Sequence, residues 1–150
     1  MPMLKLDKKL FADVSAKAVA SSRRRMHYDL RTQAFEPISV DGICSWQDSS
    51  MKMLNVMMKD SIIPIHRHNE TNEVIILLEG TGEEVVYAVD QESGNMVETS
   101  RVRLTMEQCK GVVVGRGEWH TFIPLEDNTV IFEAKDGMYD PSKTEDIWIG

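Results

Sequence analysis

Apolar positions recur along the chain at two different periods, and the change between them divides it. Leu10, Phe11, Val14 and Ala18 follow Asp7 at helical spacing, and Leu6-Asp7 offers a hydrophobic residue followed by an N-cap. The stripe fades at Ser21-Ser22, which predicts a helix ending there with one apolar face to pack. After Arg25 short β-type runs take over, at 26–31, 43–46, 51–58, 73–78, 84–89, 97–104, 112–114 and 130–134. Turn residues separate most of them, among them Asp41-Gly42, Gly80-Thr81-Gly82, Ser93-Gly94-Asn95 and Gly115-Arg116-Gly117. Many short strands with no recurring helix between them predict an all-β antiparallel sandwich or barrel, not a βαβ architecture. The reading is one domain: a helical arm over 1–25, a β-barrel over about 26–136, and a polar tail over 137–150 whose conformation is not legible.

Composition adds boundaries to this picture. At 150 residues, 42% hydrophobic and 27% charged, the chain is long and apolar enough for a core, which excludes wholesale disorder. No run approaches the roughly 20 apolar residues of a membrane span, so no membrane insertion is expected. The N-terminal stretch lacks the apolar block of a signal peptide, so a cytoplasmic location with Cys44 and Cys109 reduced is expected. Cys109 reads as a small buried or edge residue. The net charge of −7 argues against a nucleic-acid partner, but it hides an asymmetry. Residues 1–31 hold eight basic and three acidic side chains, +5; the other 119 hold nine and 21, −12. Such an arm either docks on an acidic body or forms an anion site.

The chemistry concentrates in four residues. His66 and His68 lie two apart beside an apolar run, and on a strand they point to one face about 6.6 Å apart at Cα. Two imidazoles so placed can converge on one ion through bonds of about 2.0–2.1 Å. Glu73 opens the next apolar strand, which a hairpin would bring back beside the pair. His120 follows the Gly115-Arg116-Gly117 turn. Three imidazoles and a carboxylate suit a divalent transition metal with open positions for a ligand. Any one of these histidines alone is more often structural than a ligand; the ordered set is what carries weight.

The order His-x-His, four residues, Glu, six residues, Gly80, and later Gly117-x2-His120 resembles the two motifs of the cupin superfamily. Asp60 stands where the first motif has its leading Gly. Cys109, Gly115 and Pro124 stand where the second has Gly, Pro and Asn. All four ligand positions match, and the departures fall at turn-forming and non-ligand positions. The runs Ser22–Arg31 and Val130–Pro141 are similar to the ends of the WbuC-type cupin metalloproteins, so the likeness spans roughly residues 22–141. This implies a cupin double-stranded β-helix (jelly-roll) barrel with an N-terminal helix and strand extension. It also implies one divalent metal (Fe2+, Mn2+, Ni2+ or Zn2+) on His66, His68, Glu73 and His120.

The function expected is a metal-dependent isomerase- or lyase-like enzyme on a sugar or sugar-derived acid. Its place in surface-polysaccharide (lipopolysaccharide O-antigen) metabolism is implied by the resemblance alone. An Fe(II)-dependent dioxygenase and a non-catalytic sugar-binding or regulatory module stay open, since cupins host all three. The partner expected is a small molecule, in one reading an anionic sugar, with a homodimer through the arm as a further candidate. Arg25, Tyr28, Arg31 and Lys135 are candidate substrate-binding residues, against the plainer account of a solvated basic arm. Glu133 and Tyr139 are candidate catalytic residues. Strand alternation by itself sends Val130, Phe132 and Ala134 inward and Glu133 with Lys135 outward. His27 has no ligand-like spacing and reads as structural or surface. Met51, Met53, Met57 and Met58 read as core filling.

Overall fold

A computed structural model of the chain describes residues 3–36, 51–136 and the backbone of 144–147. The run expected as a strand at 43–46, with Cys44, and the candidate Tyr139 lie outside the described residues.

Helix α1 (Lys8–Ala20) begins where the Asp7 side chain accepts a hydrogen bond from the Leu10 N–H at 3.1 Å, and Ser21 caps its other end. The strands that follow are β1 (Arg25–Asp29), β2 (Ala34–Phe35), β3 (Met51–Met57), β4 (Ile65–His68), β5 (Glu73–Glu79) and β6 (Gly82–Val89). After these come β7 (Met96–Leu104), β8 (Gly111–Val114), β9 (Trp119–Pro124), β10 (Thr129–Lys135) and β11 (Thr144–Ile147). They form two sheets with antiparallel pairing, one ordered β2-β1-β3-β10-β5-β8 and the other β11-β4-β9-β6-β7. This is the double-stranded β-helix expected of a cupin, with the tail returning as β11 beside β4. Strands β2, β4, β9 and β11 are not among the runs expected from the sequence: β2 is only two residues long, and histidines occupy inward positions of β4 and β9.

Glycines set the crossings between sheets. The chain leaves β5 in the first sheet and enters β6 in the second through Gly80-Thr81. Gly80 has φ +86°, and a Cβ there would stand 2.9 Å from the Thr129 Cα, so only glycine fits.

Two apolar layers lie on either side of the six-stranded sheet. Phe11, Val14 and Ala18 of α1 pack with Tyr28, Leu54, Val56, Met58 and Val130 on its outer face. Met57, Ile75, Leu77, Ile131 and Val114 meet Phe122 and Leu104 of the other sheet on its inner face. With both faces covered, β3 is buried almost without interruption, as strands between two layers are.

That double cover overturns the expected facing of β10. Ile131, Glu133 and Lys135 stand opposite Asn55, Met53 and Met51 of β3, and opposite Leu77, Ile75 and Glu73 of β5, all on the inner side. Val130 and Phe132 instead pack on the helix-facing cluster. Alternation gives two faces but does not say which one looks into the barrel. Here the outer face is the apolar one because α1 lies on it, and the polar face lines the interior. Of the two readings of Cys109 the edge one holds: it is exposed, between β7 and β8, which are edge strands of the two sheets.

Candidate metal centre

Strand β4 supplies His66 and His68, β9 supplies His120 directly opposite His66, and β5 supplies Glu73 from the facing sheet. Glu73 does not return by a hairpin: β4 and β5 belong to different sheets, and residues 69–72 carry the chain across the barrel. The carboxylate therefore meets the imidazoles from the opposite wall. One ligand atom from each of the four lies within 4.8 Å of the others. Ring centroids are 4.3 Å apart for His66 and His120, 5.0 Å for His66 and His68, and 5.9 Å for His68 and His120. Glu73 Oε2 is 3.6 Å from His68 Nε2 and 3.4 Å from His120 Nε2.

The donors are held as ligands. His66 Nδ1–H donates to the Pro64 carbonyl at 2.8 Å, which leaves its Nε2 lone pair for the centre. His120 Nδ1 is paired at 2.5 Å with a Glu84 carboxyl oxygen, so its Nε2 likewise faces Glu73. Glu73 Oε2 and His120 Nε2 are buried and make no hydrogen bond among the described residues. Two buried polar atoms left so would each cost free energy unless an ion occupied the space between them. Three imidazole nitrogens and a carboxylate oxygen are the donors a divalent transition metal takes, so the residues fit one.

Burial, and then the charge on His120, lowers the His66 pKa to about 4. Burial followed by the Lys135 ammonium lowers His68 to about 2, and burial lowers His120 as well. The imidazoles are thus neutral, as metal ligands must be, throughout the physiological range. Burial pushes Glu73 up to about 7 and raises Glu84 well above the usual carboxylate range. Of the four ligand candidates only His66 is not fully buried, so a ligand would approach from its side.

Glu84 was not among the residues singled out from sequence. Its only signal was an acid at an inward position of an apolar strand, opposite Phe122. Carboxylates behind metal-bound imidazoles fix ring orientation and tautomer, and their loss costs roughly 10–100-fold in metal affinity. Glu84→Gln should weaken zinc binding by about that factor, read in a chelator competition, with the fold unchanged by circular dichroism.

The other candidates separate by face. Arg25 is buried on the inner side of β1, opposite Met57. Lys135 is buried directly opposite Glu73. Tyr28 points the other way, into the core beneath α1 and against Phe35, and has no route to the ligands. Arg31 lines a groove of about 650 Å³ beside the start of α1, with its Nε 3.9 Å from the Asp29 carboxylate. The basic arm docks in part on its own body, through Arg24 and Asp60 at 3.1 Å. His27, read as structural or surface, is inside: its Nδ1 pairs with Glu36, and its Nε2 is 3.6 Å from Glu133 Oε2.

Residues 43–102 match a family described as "Domain of unknown function (DUF6016)". No curated protein sequence matches the chain. Among solved structures it is similar to ChmJ, a 3'-monoepimerase from Streptomyces bikiniensis in complex with dTDP-quinovose. The TM-score is 0.57 at 17% identity, over 81% of this chain and 65% of that one. It is similar to the capsular polysaccharide assembling protein CapF from Staphylococcus aureus, with TM-score 0.56 and 18% identity over 68% of this chain and 28% of that one. It is similar too to dTDP-4-dehydrorhamnose 3,5-epimerase from Bacillus anthracis, with TM-score 0.54 and 13% identity over 69% and 60%. The chain spans less than a third of CapF and about two thirds or less of the two epimerases. The likeness is one of fold. The chain is a cupin-fold protein whose interior carries a site that could hold a metal, and no helix among its described residues is long and apolar enough to cross a membrane.

Proposed function

We propose that the protein is a metal-dependent enzyme of the isomerase or lyase type, acting on a sugar or sugar-derived acid. The observation that carries this is the convergence of His66, His68, Glu73 and His120 on one buried point beside further charged side chains. A divalent ion bound there supplies Lewis acidity to a substrate carbonyl or hydroxyl oxygen. His66, the least buried of the four, marks the approach, and the apolar inner layer keeps bulk water out. Lys135, opposite Glu73, and Arg25 place positive charge on the same inner wall, which suits the acid group of a sugar acid. Glu133 lies on that wall too, and its charge is felt at His66, His68 and His120. The sugar assignment draws on ChmJ and CapF, whose fold this chain shares, and the WbuC-type and polysaccharide reading on the runs at 22–31 and 130–141. We place the protein in the cytoplasm, with reduced cysteines.

The test is turnover in D2O. The metal-loaded protein is incubated with a panel of nucleotide sugars, sugar phosphates and uronic acids. Deuterium incorporation at a carbon beside a carbonyl, seen by mass spectrometry and abolished by chelation, is the expected result. Oxygen consumption with Fe(II) and no incorporation would make it an oxygenase. Binding without either reaction would make it a sugar-binding module.

A further inference from the structure

Three glutamates line this interior from β5, β6 and β10, and they behave differently. Glu73 and Glu84 are pushed up by burial, as an acid taken out of water should be. Glu133 is less enclosed, with its side chain 14% exposed, and burial opposes its charge too, yet the His27 ring 3.6 Å away reverses the balance and holds it at about 2. The difference is a clamp built from three elements. His27 comes from the inner face of β1, with Glu133 reaching its Nε2 from β10. Glu36 follows β2 and closes the other side: its N–H donates to the His27 carbonyl at 3.3 Å while its carboxylate pairs with Nδ1. The other charged groups around the clamp are Arg25 and Asp29 on β1, Arg23 before it, Lys135 on β10 and His66 on β4; Asn55 of β3 stands directly opposite His27. Burial opposes charge on His27, but the two carboxylates outweigh it and raise the ring to about 9.

A carboxylate locked in this way is a poor proton shuttle, because taking up a proton would break its ion pair. It is a good fixed acceptor. We propose that Glu133 is a specificity residue that accepts hydrogen bonds from the hydroxyl groups of a ligand held at the metal ligands, with His27 and Glu36 as its positioning residues. The ligand class is polyhydroxylated: hydroxyls on the Glu133 side of the barrel, the metal-binding group on the histidine side. This deepens the enzyme reading above, on which the location of the ligand rests, and it moves Glu133 from proton transfer to recognition. It also explains why an ion pair, which is rarely worth more to stability than apolar packing, stands inside the barrel.

Two measurements test it. In protein labelled with 15N-histidine, His27 should remain an imidazolium to about pH 9, in metal-free and zinc-loaded protein alike. Glu36→Gln, at the half-exposed end of the clamp, should lower that midpoint by about one unit or more. Titration near 6.5 in the unaltered protein would overturn the lock. Calorimetry of the zinc-loaded protein then compares D-gluconate with acetate, a polyhydroxylated and a plain carboxylate. Glu133→Gln should weaken gluconate about tenfold and leave acetate unchanged, since hydrogen bonds to a charged group are worth that much or more. Equal effects on the two probes would overturn the recognition role. If no zinc is taken up and neither probe binds, the enzyme reading fails by itself, and the His27 titration still decides the lock.

Discussion

Protein carrying His66→Ala together with His68→Ala should be purified without its metal, whereas the unaltered chain should hold about one divalent ion under the same chelator-free conditions. The double substitution leaves Glu73 and His120 facing each other from opposite sheets. A carboxylate and one imidazole do not make a stable tetrahedral or octahedral site. Elemental analysis should show metal content reduced at least about tenfold, a floor set by the roughly 10–100-fold that even supporting groups behind the ligands contribute. Equal metal content in the two proteins would rule out this centre. The acid limb is a second part of the same expectation. Burial keeps His66 neutral down to about pH 4 and His68 down to about 2, but Glu73, raised to about 7, must give up its proton to bind, so metal affinity should fall as pH drops below about 7. The same depressed values bear on stability without metal. Below 6.5 the unfolded chain binds protons that the folded imidazoles refuse, so their contribution to the metal-free fold falls as pH drops from there through about 4, while Glu73, raised to about 7, acts in the opposite direction between about 7 and 4.5.

The clamp has the opposite dependence, and its window is bounded on both sides. His27 is raised above its unfolded value, so its contribution is complete below about 6.5 and lost as pH rises through about 9. Glu133 is depressed, so its contribution is complete above about 4.5 and lost as pH falls through about 2. Between these limits the charge of the clamp does not change, although Glu73 titrates at about 7. A ligand read by Glu133 therefore meets the same acceptor across the physiological range, while the group at the metal side is the one whose protonation matters.

What could be read from the sequence followed from what is local. Asp7 and the spacing of Phe11, Val14 and Ala18 mark the helix, because capping and a 3.6-residue period are properties of one segment. The four ligand residues could be picked out because their motif spacing is fixed by the strands and turns that carry them. How Glu73 arrives was not legible, since the same four intervening residues serve a hairpin or a crossing between sheets. The facing of β10 was not legible either. Both of its sides are buried, and only the docking of α1, about 115 residues away in sequence, makes Val130 and Phe132 the outer pair. Glu36, His27 and Glu133 escaped notice as a unit for the same reason: three strands in one sheet bring them together, and nothing in their separate neighbourhoods says so.

That docking makes the N-terminal helix a structural part of the barrel rather than an appendage, and its removal should have the largest effect on stability. A chain lacking residues 1–21 would expose Leu54, Val56 and Val130, each fully buried, together with Tyr28 and Met58 on one continuous sheet face. A patch of that kind on a β-sheet is an aggregation site. The truncated protein is expected to show no cooperative thermal transition in calorimetry and to bind a hydrophobic dye strongly. The graded form of the experiment is Phe11→Ala. Phe11 is 8% exposed and fills the space between α1 and the sheet, so the substitution should cost about 3–5 kcal/mol in urea unfolding. Val19→Ala, on the exposed side of the same helix, should change stability by no more than about 0.5 kcal/mol. If the truncated chain unfolded like the intact one, the helix would be no part of the core. The metal ligands should be affected only indirectly, because α1 covers the outer face of the sheet whose inner face carries Glu73, Glu133 and Lys135. Phe11→Ala should therefore retain about one metal per chain at a temperature where it is still folded.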